Sequence, residues 1–264
     1  MLYIVPTPIG NLGDITERAK QVLSSVDLIL CEDTRNSSKL LSHLNIKKPL
    51  VSYHKFNEKK SVEKIITWLQ EGKNLALISD CGTPLISDPG QILVDELNKN
   101  NLPYTVLPGP CAFVTALVLS GFDCSKFAFF GFLPEKQKDR KQLLTSIKNL
   151  NTTLIFHISV HSIENDVNSF NEILGDRNAC LVREISKIYE EKIYFNLNNL
   201  PKDLTQKGEF IIIIEGNSQK ETIDDPEKEV QNLISQGLTK NQAIGKVAKQ
   251  LNIDRNELYK KLIK

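Results

Sequence analysis

Apolar residues in the first 120 positions alternate between short runs and longer stretches where they recur every three or four residues. The short runs predict strands at Leu2 to Val5, Asp27 to Cys31, Pro49 to Ser52, Asn74 to Ser79 and Tyr104 to Leu107. The longer ones predict helices at about Asp14 to Ser24, Ser37 to Leu44, Glu58 to Glu71 and Pro89 to Lys99, with a further helix at Cys111 to Leu119. Strand and helix in strict alternation argue for an α/β architecture, a mostly parallel sheet covered on both faces. Asp14, Ser37 and Asp88 stand where N-caps are expected, and Pro89 falls in a first turn, where its missing N–H costs no hydrogen bond.

After GFDCSKFAFFGFLPEKQKDRK the pattern changes. TTLIFHI reads as a strand and IENDVNSFNEIL as a helix; ACLVREIS, EKIYFNL and GEFIIIIEG follow as strands with short connections, closer to a mixed or antiparallel α+β unit. Past residue 216 the charge becomes uneven. Residues 216–237 carry two lysines against five acids, net −3, while 238–264 carry six lysines and one arginine against two acids, net +5. Ala243, Val247, Ala248 and Leu251, followed by Ile253, Leu258 and Leu262, predict two short helices around NID, a helix-turn-helix-like pair with a basic outer face. The expected division is therefore residues 1–121, 122–216 and 217–264.

Composition narrows this picture only in places. With 264 residues, 41% hydrophobic and 25% charged, the chain is long enough for two cores. A net charge of +1 supplies no global basic field, so a nucleic-acid partner would be held by local patches. Five scattered cysteines without a C-x-x-C pair suggest neither a disulfide framework nor a zinc ribbon, which fits a reducing cytosol. The opening MLYIVPTPIG lacks a basic region followed by a long apolar run, and no run of ~18 apolar residues occurs, so the expectation is a soluble cytoplasmic protein.

In a parallel sheet the strands end at one edge, and ligands bind beyond their carboxyl ends where strand order reverses. The loops expected there are PTPIGNLGD, EDTR, DCGTPLISDPG and PGPC, all rich in glycine, proline or acids. Each alone is explained by turn chemistry and helix capping; four on one rim point to a site. There is no G-x-x-x-x-G-K-[ST], no G-x-G-x-x-G and no G-x-S-x-G, which argues against a phosphate cradle, a conventional dinucleotide fingerprint and an acyl-transfer serine. His157 and His161 have i, i+4 spacing, but a zinc site wants three or four ligands, and no metal site is expected. What remains is backbone exposed at Gly82, Gly90 and Gly109 and carboxylates at Asp33, Asp80 and Asp88, a rim suited to a cationic nucleoside among other ligands.

Seven segments, PTPIGNLGDIT, CEDTR, SDCGTPLISDPG, PGPCA, GFLP, REISKIYEE and KGEFIIIIEG, run in order along almost the whole chain. Together they resemble the ribosomal RNA small-subunit (16S) cytidine 2′-O-ribose methyltransferases, within the tetrapyrrole-methylase-like two-domain fold. The resemblance implies an enzyme, usually a homodimer, that binds S-adenosylmethionine between its domains. Its methyl group goes to the ribose 2′-hydroxyl of a cytidine near the decoding centre of the small subunit. By the same resemblance the cofactor lies against Asp80, Cys81, Gly82, Thr83, Pro84, Ile86 and Ser87, with Pro8, Pro110, Cys111 and Ala112 nearby. The second domain would close the cleft with the segments holding Phe156 and His157, Val182, and Gly208 and Glu209. Where the family has an acid and then Pro-His-Arg, this chain has HISVHSI: His161 is kept, Val160 precedes it and Ser162 follows. Cys31, Cys81 and Cys111 stand at alanine or serine positions of the family and read as small packing residues.

Methyl transfer from a sulfonium to a hydroxyl is an in-line displacement, so alignment comes first and a base assists the proton's departure. The candidate bases are Asp33 and Glu184, with Arg35 and Arg183 positioning phosphate or ribose; the alternative pairs Asp33 with Arg35 and Arg183 with Glu184 as plain ion pairs. RNA contacts would fall to His54, Lys55, Phe56, Lys59 and Lys60 and to the basic tail. Two other readings share the pocket: a small-molecule methyltransferase acting on a tetrapyrrole, and a catalytically idle RNA-binding assembly factor.

Overall fold

The structure, a computed structural model, describes residues 1–205, 207–217, 225–251 and 254–261. They form two compact units, residues 1–146 with 152–215, and residues 147–151 with 216–264.

The first unit holds two five-stranded sheets. In the first sheet β1 (Leu2–Ile4), β2 (Leu28–Cys31), β3 (Leu50–Ser52), β4 (Leu75–Ile78) and β5 (Tyr104–Val106) are all parallel, in the order β3-β2-β4-β1-β5. The runs LILC and LALI make β2 and β4, buried at every position, because helices cover both faces. The period of two sorts them: Leu28, Leu30, Leu75 and Leu77 pack with Val62, Ile65 and Leu69 of α3 (Glu58–Gln70) and Leu93 and Leu97 of α4 (Gln91–Lys99). Ile29, Cys31, Ala76 and Ile78 face the other way, onto Ala19 and Leu23 of α1 (Glu17–Ser25) and Leu41 of α2 (Thr34–His43).

The three expected N-caps are replaced by neighbours. Asp14 ends a short 3₁₀ turn at Leu12–Asp14, and Thr16 caps α1 through Ala19 N–H at 3.1 Å. Asp33 caps α2 by accepting from Arg35 N–H at 2.8 Å, leaving Ser37 buried inside the first turn. Gly90 precedes α4 and has no side chain to cap it, so Asp88 and Pro89 stay in the loop, where they are free to serve the rim.

The second sheet runs β6-β7-β10-β8-β9, built from β6 (Phe127–Phe132), β7 (Thr153–Ile158), β8 (Asn178–Arg183), β9 (Glu191–Asn196) and β10 (Phe210–Ile214). β6 and β7 are parallel and the other pairs antiparallel, a mixed sheet. Helix α5 (Ala112–Ser120) packs on this sheet, its Ala116 and Leu117 against Ile155, Cys180, Val182, Ile211 and Ile213. α7 (Ile163–Leu174) covers the other face, with Phe170 against Phe156 at a centroid distance of 4.8 Å. β6 and a helix α6 (Gln137–Ile147) had no clear signature: FAFFGF does not alternate, and QKDRKQLLTSI has only a weak apolar stripe.

In the second unit α8 (Pro226–Ser235), α9 (Lys240–Leu251) and α10 (Arg255–Lys261) share a core of Val230, Leu233, Ala243, Ile244, Val247, Ala248 and Leu258. The expected helical pair is α9 and α10; α8 is a third member, started by Asp225, which caps two backbone N–H groups ahead of Pro226. Ile253 and Leu262, and the side chain of Leu251, lie outside the described residues. Among the described residues no helix is long and apolar enough to cross a membrane.

Candidate active site

Loops following β1, β4 and β5 meet because those strands are neighbours in the sheet. Thr7 and Gly82 exchange backbone hydrogen bonds of 2.9 and 3.1 Å, and Thr83 Oγ1 donates to the Pro110 carbonyl at 2.9 Å. The Ser79 hydroxyl closes the turn on the carbonyls of Cys81 and Gly82. Gly82 sits at φ +81, and a Cβ there would stand 3.3 Å from Ile9 Cγ2, so backbone forms this wall where a side chain would fill it. Leu85 and Ser87 hold φ of +72 and +65, values that non-glycine residues keep only when their surroundings enforce them.

The facing wall comes from the second sheet. His157 to His161 leave the end of β7, Ile185 stands in the loop after β8, and Gly208 to Ile211 lead into β10. That loop is also bent unusually, with Glu184 and Ser186 at φ +51 and +65. Ser186 Oγ bonds Asp14, and Lys187 bridges Glu184 and Glu209 at 2.9 and 3.0 Å, so the loop is fastened both to the first sheet's rim and to β10. Between the walls lies a cavity of about 480 Å³, the size of a cofactor site.

Its electrostatics are one-sided. The charged residues lining it are Asp88 and Glu209, with no lysine or arginine among the lining residues. Burial, reinforced by the charge of Glu32 and then Asp80 and opposed by a hydrogen bond with Ser79, pushes the Asp88 carboxyl up to about 6. Burial also pushes the Cys81 thiol up to about 11, raises Cys111 and lowers His157. At neutral pH the site thus holds the Asp88 carboxyl mostly ionised beside un-ionised thiols, and thiols are poor nucleophiles in that state. Phe132 stacks on His157 at 5.1 Å, and Ile9, Ile86, Phe113 and Ile211 complete an apolar lining. This donor set fits a sulfonium nucleoside: carboxylates for its cation, apolar faces for its ring, and a side-chain-free edge at Gly82. Among the described residues no group of three metal-ligating side chains occurs.

Of the expected cofactor residues, Cys81, Gly82, Thr83, Ile86, Ser87, Cys111, Ala112, His157, Gly208 and Glu209 line the cavity. Pro8, Asp80, Pro84, Pro110, Phe156 and Val182 lie outside its lining. Phe156 and Val182 are fully buried, and Pro110 serves as acceptor for Thr83. The expected catalytic residues are engaged elsewhere. Arg35 forks onto Asp33, with Nη2 to Oδ2 at 2.6 Å, and the arginine holds that carboxyl down at about 2. Both face a second, open cavity beside the first. Arg183 and Glu184 do not pair with each other: Arg183 meets Glu191 at 3.0 Å, and Glu184 takes Lys187 and the Glu209 N–H. His161 lines the cavity together with His157, because the chain turns at Ser159 and Val160. Asp88, read as a cap, was missed; the signal was a second aspartate in LISDCGTPLISDPG with a helix start that did not need it.

The chain belongs to the tetrapyrrole (corrin/porphyrin) methylases, whose family model matches residues 1–201. Solved structures of cobalt precorrin-4 methyltransferase and diphthine synthase share the fold, at TM-scores of 0.60 and 0.64 and identities of 17% and 12%. Each covers 81% of this chain, which covers 94% and 89% of theirs. Within that class it belongs to the ribosomal RNA small subunit methyltransferase I family. The relative of that name from Bacillus subtilis is 40% identical over 98% of this chain and 92% of its own length. The Pasteurella multocida relative is 43% identical over 98% and 95%. The family's methyl donor is S-adenosylmethionine.

Proposed function

We propose that this protein transfers a methyl group from S-adenosylmethionine to the ribose 2′-hydroxyl of a cytidine in 16S ribosomal RNA near the decoding centre, in the cytoplasm and as a homodimer. The observation that carries the reading is a cavity of about 480 Å³ lined by Asp88 and Glu209 and by no lysine or arginine, in a chain 40% and 43% identical to two methyltransferase relatives. Thr83, Ser87 and Glu209, with the backbone at Gly82 and Gly208, would hold the cofactor. When bound, that cofactor supplies an electrophilic methyl group on a cationic sulfur. The chain's own work is to fix the acceptor in line and to take its proton.

Asp88 suits the second task better than Asp33 or Glu184. It lines the cavity, and a carboxyl near 6 is ionised at neutral pH yet more basic than one held at about 2 by an arginine. Asp33 and Arg35, facing the adjoining cavity, position the acceptor strand; Arg183 and Glu184 act as positioning residues through their ion pairs at the ends of the loop beside the cavity. The basic segment 238–264 adds affinity for RNA phosphates.

A second copy is favoured by α5. Its sequence AFVTALVLS is apolar on every side, and Val114 and Val118 are 43% and 66% exposed, as expected of a helix that a partner covers. Incubation with labelled S-adenosylmethionine and small subunits lacking the modification tests the whole reading. Label in a cytidine ribose supports it; label in a base, or none with the cofactor bound, overturns it.

A further inference from the structure

The second cavity, about 460 Å³ and open, lies at the carboxyl ends of β2 and β3 and is lined by residues that the methyl-donor site does not use. Among its members Phe56 is 90% exposed. That ring is held out rather than left loose. Phe56 N–H donates to His54 Nδ1 at 3.2 Å, and the His54 ring meets it edge-on at 6.1 Å. His54 N–H donates in turn to Asn57 Oδ1 at 2.8 Å, and Asn57 Nδ2 reaches the Ser52 carbonyl at 3.0 Å. A tied turn therefore presents one aromatic face to water beside an open groove, an arrangement that suits stacking by a flat ring.

Three acids line the groove, and they are not equivalent. Asp33 is taken by Arg35, and both oxygens of Asp80 are taken, by Asp33 N–H at 3.3 Å and Asn36 Nδ2 at 3.0 Å. Glu32 has no hydrogen bond or ion pair among the described residues, so its carboxylate is available. A free carboxylate accepts from an exocyclic amino group, as on cytosine, and repels the carbonyl that uracil presents at the same place. Lys55 also has no partner among the described residues, and the Arg35 side chain is 85% exposed, so the groove carries two accessible cations that a phosphate can reach.

We infer that this groove seats one unstacked, amino-bearing nucleobase of the RNA acceptor, its face on Phe56, its amino group toward Glu32 and its phosphate toward Lys55 and Arg35. The inference rests on the RNA-methylating reading and deepens it. Asp80 lines this groove and Cys81, its neighbour in the chain, lines the donor cavity, so a base held here brings its ribose to the boundary between the two.

The test uses the full chain, labelled S-adenosylmethionine and small subunits carrying either cytidine or uridine at the target position. Phe56→Ala is expected to raise KM for the subunit about tenfold or more, the scale of one lost base stack. Its cofactor affinity and saturated rate stay those of the wild type, and Phe56→Tyr restores KM. Glu32→Gln is expected to shrink the preference for cytidine over uridine by about tenfold. An unchanged KM in Phe56→Ala, or an unchanged cytidine preference in Glu32→Gln, overturns the groove while the wild type still methylates RNA. A wild type that methylates no RNA overturns the underlying reading as well, and is told apart by the missing label in that arm.

Discussion

Asp80 and Cys81 are consecutive, yet they open onto two cavities of opposite character. The one reached by Cys81 is walled by both sheets, mostly apolar, and charged only by Asp88 and Glu209. The one reached by Asp80 is open, formed by the first sheet's loops alone, and mixes Arg35, Lys55 and His54 with Glu32 and Asp33. A single residue type follows the difference. The Asp88 carboxyl, in the enclosed cavity, is raised to about 6 by burial, whereas Asp33, on the open one, is lowered to about 2 by an arginine. Desolvation dominates in the more enclosed cavity and charge pairing in the open one, which divides a base-holding site from a strand-holding site along one sheet edge.

The sharpest way to break this division is Asp88→Asn. It keeps the shape of the cavity and removes the base, so the saturated rate should fall about 100-fold or more. Cofactor affinity, measured by calorimetry, should fall far less than the rate, because Glu209 still lines the cavity; full activity in the variant would remove Asp88 from the reaction. In the wild type the saturated rate should drop as pH falls through about 6, and that limb should vanish in the variant. A second break targets the enclosed wall itself. Gly82→Val places a branched side chain at φ +81 with its Cβ 3.3 Å from Ile9, and about tenfold weaker cofactor binding is expected from the displaced wall and strain of ~1–3 kcal/mol. Unaltered binding would show that this edge does not face the cofactor.

A smaller effect separates RNA binding from cofactor binding. Removing residues 238–264 should raise KM for the subunit several-fold, steepen no dependence on cofactor, and flatten the response to salt as phosphate contacts are lost. Equal loss of cofactor and subunit binding would mean that the segment supports the fold instead.

The two cavities were legible in the sequence to different depths, for physical reasons. Parallel strands are nearly continuous apolar runs, so LILC and LALI announced the first sheet and its rim. Five loop residues of that rim that line the cavity, Cys81, Gly82, Thr83, Ile86 and Ser87, were legible as candidates because glycine, proline and acids in one segment have few other uses. The opposite wall was harder. Phe132, Ile185 and Phe210 are ordinary apolar residues, and only the strand order β6-β7-β10-β8 brings their segments together. Caps failed for a related reason: Asp88 and Gly90 both precede α4, and sequence cannot tell which of two adjacent candidates the chain turns toward the helix. Arg183 and Glu184 looked like partners because they are adjacent, but neighbours in and beyond a strand point to different sides, so each found another mate.

The least conspicuous consequence of the comparison concerns stability rather than rate. A carboxyl whose folded-state value is raised, from 3.8 to about 6, favours the native state while it is protonated. That contribution is complete below about 3.8 and is lost as pH rises through about 6, so at neutral pH the folded protein carries a half-buried charge it would be more stable without. Asp33 has the opposite sign: its lowered carboxyl favours folding above the ordinary value and loses that contribution as pH falls toward about 2. Asp88→Asn should therefore melt a few degrees higher than the wild type at pH 8, with the gain fading toward pH 4, a scale set by ~1 kcal/mol moving Tm by about 2–4 °C in a chain of this size. Asp33→Ala should melt slightly lower at pH 8, because it removes the cap of α2 and the arginine's partner. Scanning calorimetry at the two pH values decides it. Variants that shift in the same direction would mean that the two carboxylates do not differ in the way the cavities do.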